Sequence, residues 1–595
     1  MGMARVLLGR AVALLWLGVV AASAQAADPA KVLHIALPRA ETGFDPAQAS
    51  EIYSSAVIAA IMEPLLTFDY LARPAKLVPL TAEALPAVAD GGKRYTLKIR
   101  RGIYFAADPA FQGRRRELTA ADYAYAIKRL ADPQNRSPNA FYVMGKIVGL
   151  DAAAAKAKQT GGRFDYAAPI AGLETPDRYT LRITLEHSDY TFPQVLALPA
   201  LSAVAHEVVD AYHDDLAAHP VGTGPYVLKE WVRASRIVLT ANPAFRGFVW
   251  NFEPGDDPVD RTIAARMRGL RMPQIGRIDI RVMEEPQSSW LAFQRGELDL
   301  LNVPATFAPV ALPDGKVAPA LADKGVYLSR ILQPAISYTA FNMRDPVLGG
   351  FAKEKIALRR AIAMAYDVDE EVEVIRKGQA VPLAMVIPPG VVGYEPRYRS
   401  HIKHDPDEAN QLLDRFGYRK GRDGFRRLPD GKPLELHYAS QTNALAREFD
   451  ELWKKAMNTL GIRLVIDKGK FNDQIKEAIA CHHQIWSYGW IADYPDGDNF
   501  MQLLYGGNVG QSNVACYQSR TYDALYEQSR LLPDSAARSQ LYEQMTRQFE
   551  NDTPWRLGTA TYQNTLVQPR VVGYTAHPVL LAEWIYVDID TARQK

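Results

Sequence analysis

Between Pro433 and Ala480 the chain alternates strand and helix signals in an order that leaves few folds open. PLELHYAS is short and β-rich, EFDELWKKAMNTLG has helical periodicity ending at Gly461, IRLVIDKG reads again as a strand, and a helix follows around Asn472 to Ala480. A strand–helix–strand order implies parallel neighbours joined by a crossover helix, hence a mostly parallel sheet with helices on both faces.

The rest of the chain carries similar punctuation. KVLHIAL alternates as a strand before the turn around Asp45 and Pro46, and a helix is expected from Ser54 to Leu66. RYTLKIRRGIYF and DRYTLRITL are two strand signals of like character, and LTAADYAYAIKRLADP lies between them. There Thr119 is the expected N-cap, Asp122 completes an acidic capping box, and Pro133 closes the helix. YVLKEW and RIVLTA form an expected hairpin after a Gly-Pro turn. YLSRILQPAISYTAFNM is a β-rich run able to carry the chain from one lobe to another. In KEKIALRRAIAMAYD the apolar face runs through Ile356, Ala357, Ala361, Met364 and Ala365, with Arg359 and Arg360 expected to turn outward. Asp405 is the expected cap, and Gly417 the stop, of the helix in DPDEANQLLDRFGY.

Arg5 and Arg10 precede an uncharged apolar run from Ala11 to Ala22, with small residues to Ala26, so residues 1–26 read as a secretory signal peptide. No Cys follows that run, which predicts release without a lipid anchor. Without Arg5 and Arg10 the mature chain has 67 basic and 67 acidic residues, a balance that advertises neither a nucleic-acid nor a membrane-surface partner. At about 150 residues per domain, the mature length suggests three or four compact units. In an oxidising compartment Cys481 and Cys516 are expected to form a disulfide. The adjacent His482 and His483 lack the spacing that aims two ligands at one ion.

The chemical motifs fail one by one. His206-Glu207-Val208-Val209-Asp210 puts a carboxylate where a zinc hydrolase needs its second imidazole, and no G-x-S-x-G elbow is present. Gly222-Thr223-Gly224 leads into a strand rather than a helix N-terminus, so it reads as a turn needing glycine conformations, not a phosphate loop. In GWIADYPDGDNF a calcium loop starting at Asp493 or Asp496 would close on Leu504 or Gly507 instead of Glu. Asp496 and Asp498 read as turn and N-cap residues for a helix beginning at Asn499. Asp493 sits among aromatics at a strand exit, where α/β sheets bind ligands, and suits an ammonium. The residues alone leave ligand binding and structural capping both open.

Taken together, IMEPLLTFD, RYTLKIRRGIYF with LTAADYAYAIKRLADP, HPVGTGPYVLKEW with ANPAFRG, FQRGELDL, AFNM with LRRAIAMAYD, GQAVPLAMVIPPG, DPDEANQLLDRFGY and GWIADYPDGDNF follow one family's order. The mature chain resembles the extracytoplasmic solute-binding proteins of the oligopeptide, dipeptide and nickel-binding family that serve ABC importers. It departs in AADPAFQGRRRELTA, where that family has a shorter turn.

The resemblance implies an α/β, two-lobed periplasmic-binding-protein fold, with hinged lobes, mixed sheets and an extra domain inserted near the N-terminus. Lobe I would comprise 28–66, 177–330 and 563–595, the inserted domain 67–176 and lobe II 331–562. It also implies a monomeric, non-enzymatic periplasmic receptor, without cofactor or metal, that passes a peptide to a membrane permease. Asp493 would receive the peptide's α-ammonium, with Trp490, Tyr494, Tyr53 and Tyr338 nearby. Two alternatives stand beside this reading. One is the same scaffold holding a nickel chelate, haem, sugar or opine; the other is a secreted hydrolase, which no motif supports.

Overall fold

The computed structural model describes residues 27–593; the expected signal peptide lies outside the described residues. Strand β1 (Asp28–Leu37) leads to helix α1 (Ile52–Ile61), which stops five residues before the expected Leu66 because Met62 is extended ahead of Pro64. Next come β2 (Arg94–Lys98), α2 (Ala120–Ala131) and β3 (Thr180–Thr184). β2 and β3 pair antiparallel, flanked by Ala87–Ala89 and Leu173–Asp177. This small sheet therefore reaches past the boundary expected at 176, because the two similar strand signals are each other's partners. Asp122 accepts the Thr119 backbone N–H at 2.7 Å at the head of α2 and also receives the Arg116 guanidinium, at 2.6 and 3.1 Å.

β4 (Tyr226–Val232) and β5 (Arg236–Ala241) form the expected hairpin. After α3 (Pro258–Met267), β6 (Ile275–Val282) completes a four-stranded sheet in the order β1-β6-β5-β4, with β1 and β6 parallel. Gly222 and Gly224 do not occupy left-handed backbone, contrary to the sequence reading. A Cβ on Gly222 would sit 2.1 Å from the Ile61 carbonyl oxygen, so close packing against the end of α1 is what excludes a side chain.

β7 (Tyr327–Leu332) and β8 (Ala335–Phe341) carry the chain from one lobe to the other, and α4 (Lys353–Ala365) follows. Arg359 on α4 is buried, not turned outward. Its guanidinium donates to the carbonyls of Leu348, Gly350, Asp552 and Thr553, which satisfies a cation that burial disfavours.

The crossover region then supplies β9 (Glu435–Gln441), α5 (Ala444–Leu460), β10 (Arg463–Gly469), α6 (Phe471–Ile479) and β11 (Ile485–Ile491). Helices α7 (Arg520–Arg530) and α8 (Ala536–Asp552) precede β12 (Trp555–Leu557) and β13 (Thr559–Val567). The second-lobe sheet has the order β10-β9-β11-β8-β12. Its β10-β9-β11 half is parallel, and its β11-β8-β12 half is antiparallel, so the sheet is mixed where the sequence suggested a mostly parallel one. The local order predicted the crossovers correctly; long-range addition of β8 and β12 was outside its reach. β13 returns the chain, pairing with β7, Leu300–Asn302 and Ala380–Pro382. Cys481 and Cys516 are joined as a disulfide, their Cα atoms 6.1 Å apart.

Candidate functional site

β11 ends at Ile491, and the Ala492 N–H then bonds the Pro334 carbonyl at the lobe crossing (2.8 Å). Asp496 anchors the turn that follows. It accepts both arms of Arg538, at 2.8 and 2.6 Å, and the Tyr542 hydroxyl at 3.1 Å, all buried. Burial opposes the charge on Arg538, but the Asp496 carboxylate more than offsets it and raises the guanidinium pKa. The Asp498 N–H bonds Asp496 at 2.9 Å, so Asp496 does shape the turn as expected. Its buried ion pair was not legible from spacing. Asp498 opens the short helix Asp498–Met501 instead of capping one at Asn499; Gly497 is the cap, and Asp498 accepts the Tyr494 hydroxyl at 2.8 Å. A Cβ on Gly497 would meet Ile387 and Tyr542 below 3 Å.

The braced turn aims Asp493 into a 650 Å³ cavity between the lobes. Asn499 Nδ2 donates to its carboxylate at 3.0 Å, Asn499 Oδ1 accepts the Asp493 N–H, and the same oxygen accepts Trp490 Nε1 at 2.9 Å. Trp490 thereby fixes the amide that fixes Asp493. Burial raises the Asp493 pKa, opposed by the Asn499 amide and the Tyr142 hydroxyl facing it from the inserted domain; no cation contributes. The other walls are largely apolar, with Phe68, Phe248, Phe252, Leu580 and Tyr586; of the charged groups among them, Glu63 is neutralised by Arg246 at 2.7 and 2.9 Å, and Arg100 and Arg101 also line the cavity. A buried carboxylate with no cation in contact, in a largely apolar enclosure, is poised for a cationic guest.

One wall of this cavity, Pro578–Ala582, is held from beneath. His577 Nδ1 accepts the N–H groups of Val579 and Leu580 at 3.1 and 2.9 Å, and burial keeps this imidazole neutral. Burial also pushes Glu583 up to about 7. The unfolded chain releases that proton near pH 4.5, whereas the folded chain holds it to about pH 7. The stability it contributes is therefore full below 4.5 and lost as pH rises through 7. Glu583→Gln, always neutral, is expected to unfold later in urea at pH 8 by about 3 kcal/mol, and to match the parent at pH 4.

A second cavity, of 520 Å³, opens where the second-lobe sheet splits. β9 and β11 pair only at Tyr438–Ile485 and Ala439–Trp486, then diverge. Ser440 and Gln441 line one side of the gap, Ser487 to Ile491 the other. Parallel α/β sheets bind ligands at such carboxyl-end switch points. Tyr338, stacked on Trp555 at 3.9 Å, lines this cavity with Trp486, Tyr488 and Trp490, and its buried hydroxyl has no hydrogen-bond partner among the described residues. Ile491 lines both cavities.

The structure thus brings Asp493, Trp490 and Tyr338 to the cleft, but not the other two expected residues. Tyr494 is buried in the core around the inserted domain and lines neither cavity, because the strand exit turns its ring away from Asp493. Tyr53 lies on α1 against the first-lobe core and lines neither cavity either. Sequence reasoning missed Tyr142, Asn499 and the arginines of the second cavity. Asn499 stood within the quoted stretch; Tyr142 lies in an irregular segment, NAFYVMG, with no signal to single it out. Of the rejected hydrolase motif, Glu207 is taken up by Arg116 at 2.8 Å. No described helix is long and apolar enough to cross a membrane.

Comparison with known proteins agrees with this architecture. The chain is 24% identical over 601 residues to di/tripeptide-binding protein 2 of Pseudomonas aeruginosa, covering 97% of this chain and 98% of the relative. It is 24% identical over 512 residues to heme-binding protein A of Haemophilus influenzae, covering 84% and 82%. The fold superimposes on the periplasmic binding protein DppA of Helicobacter pylori, solved with the peptide STSA, at a TM-score of 0.71 and 21% identity, over 94% of this chain and 98% of that one. The family model described as "Bacterial extracellular solute-binding proteins, family 5 Middle" matches residues 76–512. With its two lobes, inserted domain and interlobe cavities, the chain belongs to family 5 of the bacterial extracellular solute-binding proteins.

Proposed function

We propose that this protein captures a peptide, or a peptide-like solute with a free ammonium, between its lobes and delivers it to the permease of an ABC importer. Asp493 carries this reading: an enclosed carboxylate, held by a neutral amide and with no cation bonded to it, offers a charge-assisted bond that closure would strengthen. Three relatives named for dipeptides or di- and tripeptides support it. The chain would act as a periplasmic monomer, released after leader cleavage and without a lipid anchor. It would hinge at the two crossings, near Pro334 and Gly558, leaving lobe II between them.

The apolar wall of the first cavity favours a second reading, a non-peptide solute with a large apolar body, and one relative is named for haem. Haem brings carboxylates and no ammonium, so Asp493 argues for the peptide.

Native mass spectrometry of protein purified without denaturant is expected to find an intact peptide-like guest. Retention of a metal, with turnover, would overturn the proposal. Calorimetry with tri-alanine supplies a second check. Because burial raises the Asp493 pKa, acidification neutralises it at a higher pH than an exposed aspartate, near 3.9. Affinity should fall over that interval, and Asp493→Asn should abolish the slope.

A further inference from the structure

A third cavity, of 580 Å³, lies apart from the two already described: it shares Pro578 with the first and no residue with the second. Both lobes wall it. The edge strand β7, through Leu328–Leu332, and the first turn of α3 form one side, and Pro389 and Gly390 reach it from the second lobe beside the crossing at Pro334. Four charged side chains line it, Arg73, Asp257, Asp260 and Arg330, and none of them forms an ion pair among the described residues. Two acids and two bases balance the net charge of the enclosure without completing one another's bonds.

Asp260 is the least satisfied of the four. It is 5% exposed, and neither an ion pair nor an N–H donor holds it among the described residues. Burial raises its pKa; the Arg73 charge opposes that shift, Asp257 adds to it, and the Thr575 hydroxyl opposes it. Arg73 acts only at a distance, because its Nη1 and Nη2 donate to the carbonyls of Tyr70, Ala72 and Ala576 at 3.1, 3.0 and 2.8 Å. Asp257 is occupied as the cap of α3, accepting the Val259 N–H at 2.7 Å. Arg330 is half-buried; its guanidinium lies over the Tyr562 ring, 3.9 Å from the centroid, and donates to no acceptor among the described residues. The cavity therefore holds one carboxylate and one guanidinium whose bonding the protein leaves incomplete, where an unmade bond is costly.

We propose that the third cavity is a ligand site of its own, for a small zwitterion of the amino-acid type, whose ammonium Asp260 takes and whose carboxylate Arg330 takes. The site is separate from the one at Asp493 and does not depend on the proposed function. Its place in the fold lets it bear on the first cavity. Gly390 lies two residues before Val392, whose N–H bonds the Pro495 carbonyl at 3.1 Å and whose carbonyl accepts the Gly497 N–H at 2.9 Å, in the turn that carries Asp493. On the other side Pro578 lines both cavities. A guest that fits the cavity as formed favours this arrangement of the lobes over any that parts them, and by linkage it favours whatever else that arrangement binds.

Calorimetry with glycine, 4-aminobutyrate and 6-aminohexanoate, a series that lengthens the span between the two charges, tests the site against butylamine and butyrate, which carry one charge each. At least one of the amino acids is expected to bind with a stoichiometry near one and about ten- to a hundredfold more tightly than either singly charged analogue. Asp260→Asn and Arg330→Gln should each erase that advantage. Asp260→Asn keeps the shape and removes a charge that burial disfavours, so it should fold, and if Arg330→Gln does not, Asp260→Asn decides. Asp493→Asn should leave amino-acid binding as it is, and tri-alanine should bind no less tightly with the amino acid at saturation. Silence towards tri-alanine beside an Asp260-dependent amino-acid response would remove the proposed function and leave this site standing. No saturable binding by any of the three amino acids, an amine that binds as tightly as they do, binding indifferent to both variants, or competition with tri-alanine overturns it.

Discussion

Asp493→Ala is expected to lower affinity for tri-alanine by about two to three and a half orders of magnitude, measured by calorimetry at neutral pH. The magnitude follows from what is left behind. With the carboxylate gone, a bound ammonium stays enclosed by the largely apolar first cavity, facing the Tyr142 hydroxyl and the Asn499 amide, neither of which carries charge. Breaking a buried pair by removing one partner typically costs about 3 to 5 kcal/mol, most of it the price of the stranded charge. The free protein should tolerate the change, because burial disfavours the charge of its own Asp493 and no cation compensates it. Unchanged urea unfolding beside lost binding separates a ligand role from a structural one, and unchanged affinity would end the ligand role.

Arg538→Ala should produce the largest loss of stability, about 3 to 5 kcal/mol in urea unfolding followed through the second-lobe tryptophans. Asp496 then keeps only the Tyr542 hydroxyl and the Asp498 N–H, in a site where both it and Arg538 are about 97% buried. The double variant Asp496→Asn with Arg538→Met leaves no lone charge and should recover most of the loss. Affinity should also fall in Arg538→Ala, because the turn that Asp496 anchors carries Asp493 two residues after the strand exit. A parent-like unfolding midpoint for Arg538→Ala would show that the pair does not hold the turn.

Much of the scaffold was legible because its signals are local. Asp405 accepts the Glu408 N–H at 2.8 Å as a cap must, the β4–β5 hairpin pairs over its expected span, and the strands and helices from Glu435 to Ile479 overlap the segments read from periodicity, although α5 starts at Ala444, ahead of the expected Glu448. Arg359 shows where such reading stops. By helical spacing it belongs to the polar face of α4, yet it is buried against carbonyls supplied by the end of α8, almost 200 residues later. Tyr494 fails in the same way: its neighbours in sequence suggested a ligand contact, while its neighbours in space are the core of another domain.

The sequence by itself determined the alternation of strands and helices, the cysteine pair and Asp493 as the acid to watch, since caps, periodicity and strand exits are set by residues within one or two turns of each other. Only the tertiary structure decided what surrounds that acid. Asn499 and Trp490 orient it from its own segment, Tyr142 reaches it from the inserted domain, and Arg556 enters the neighbouring cavity from a strand some sixty residues further on. The charge of a binding site is a sum over groups brought together by folding, and short-range sequence patterns carry no record of that sum.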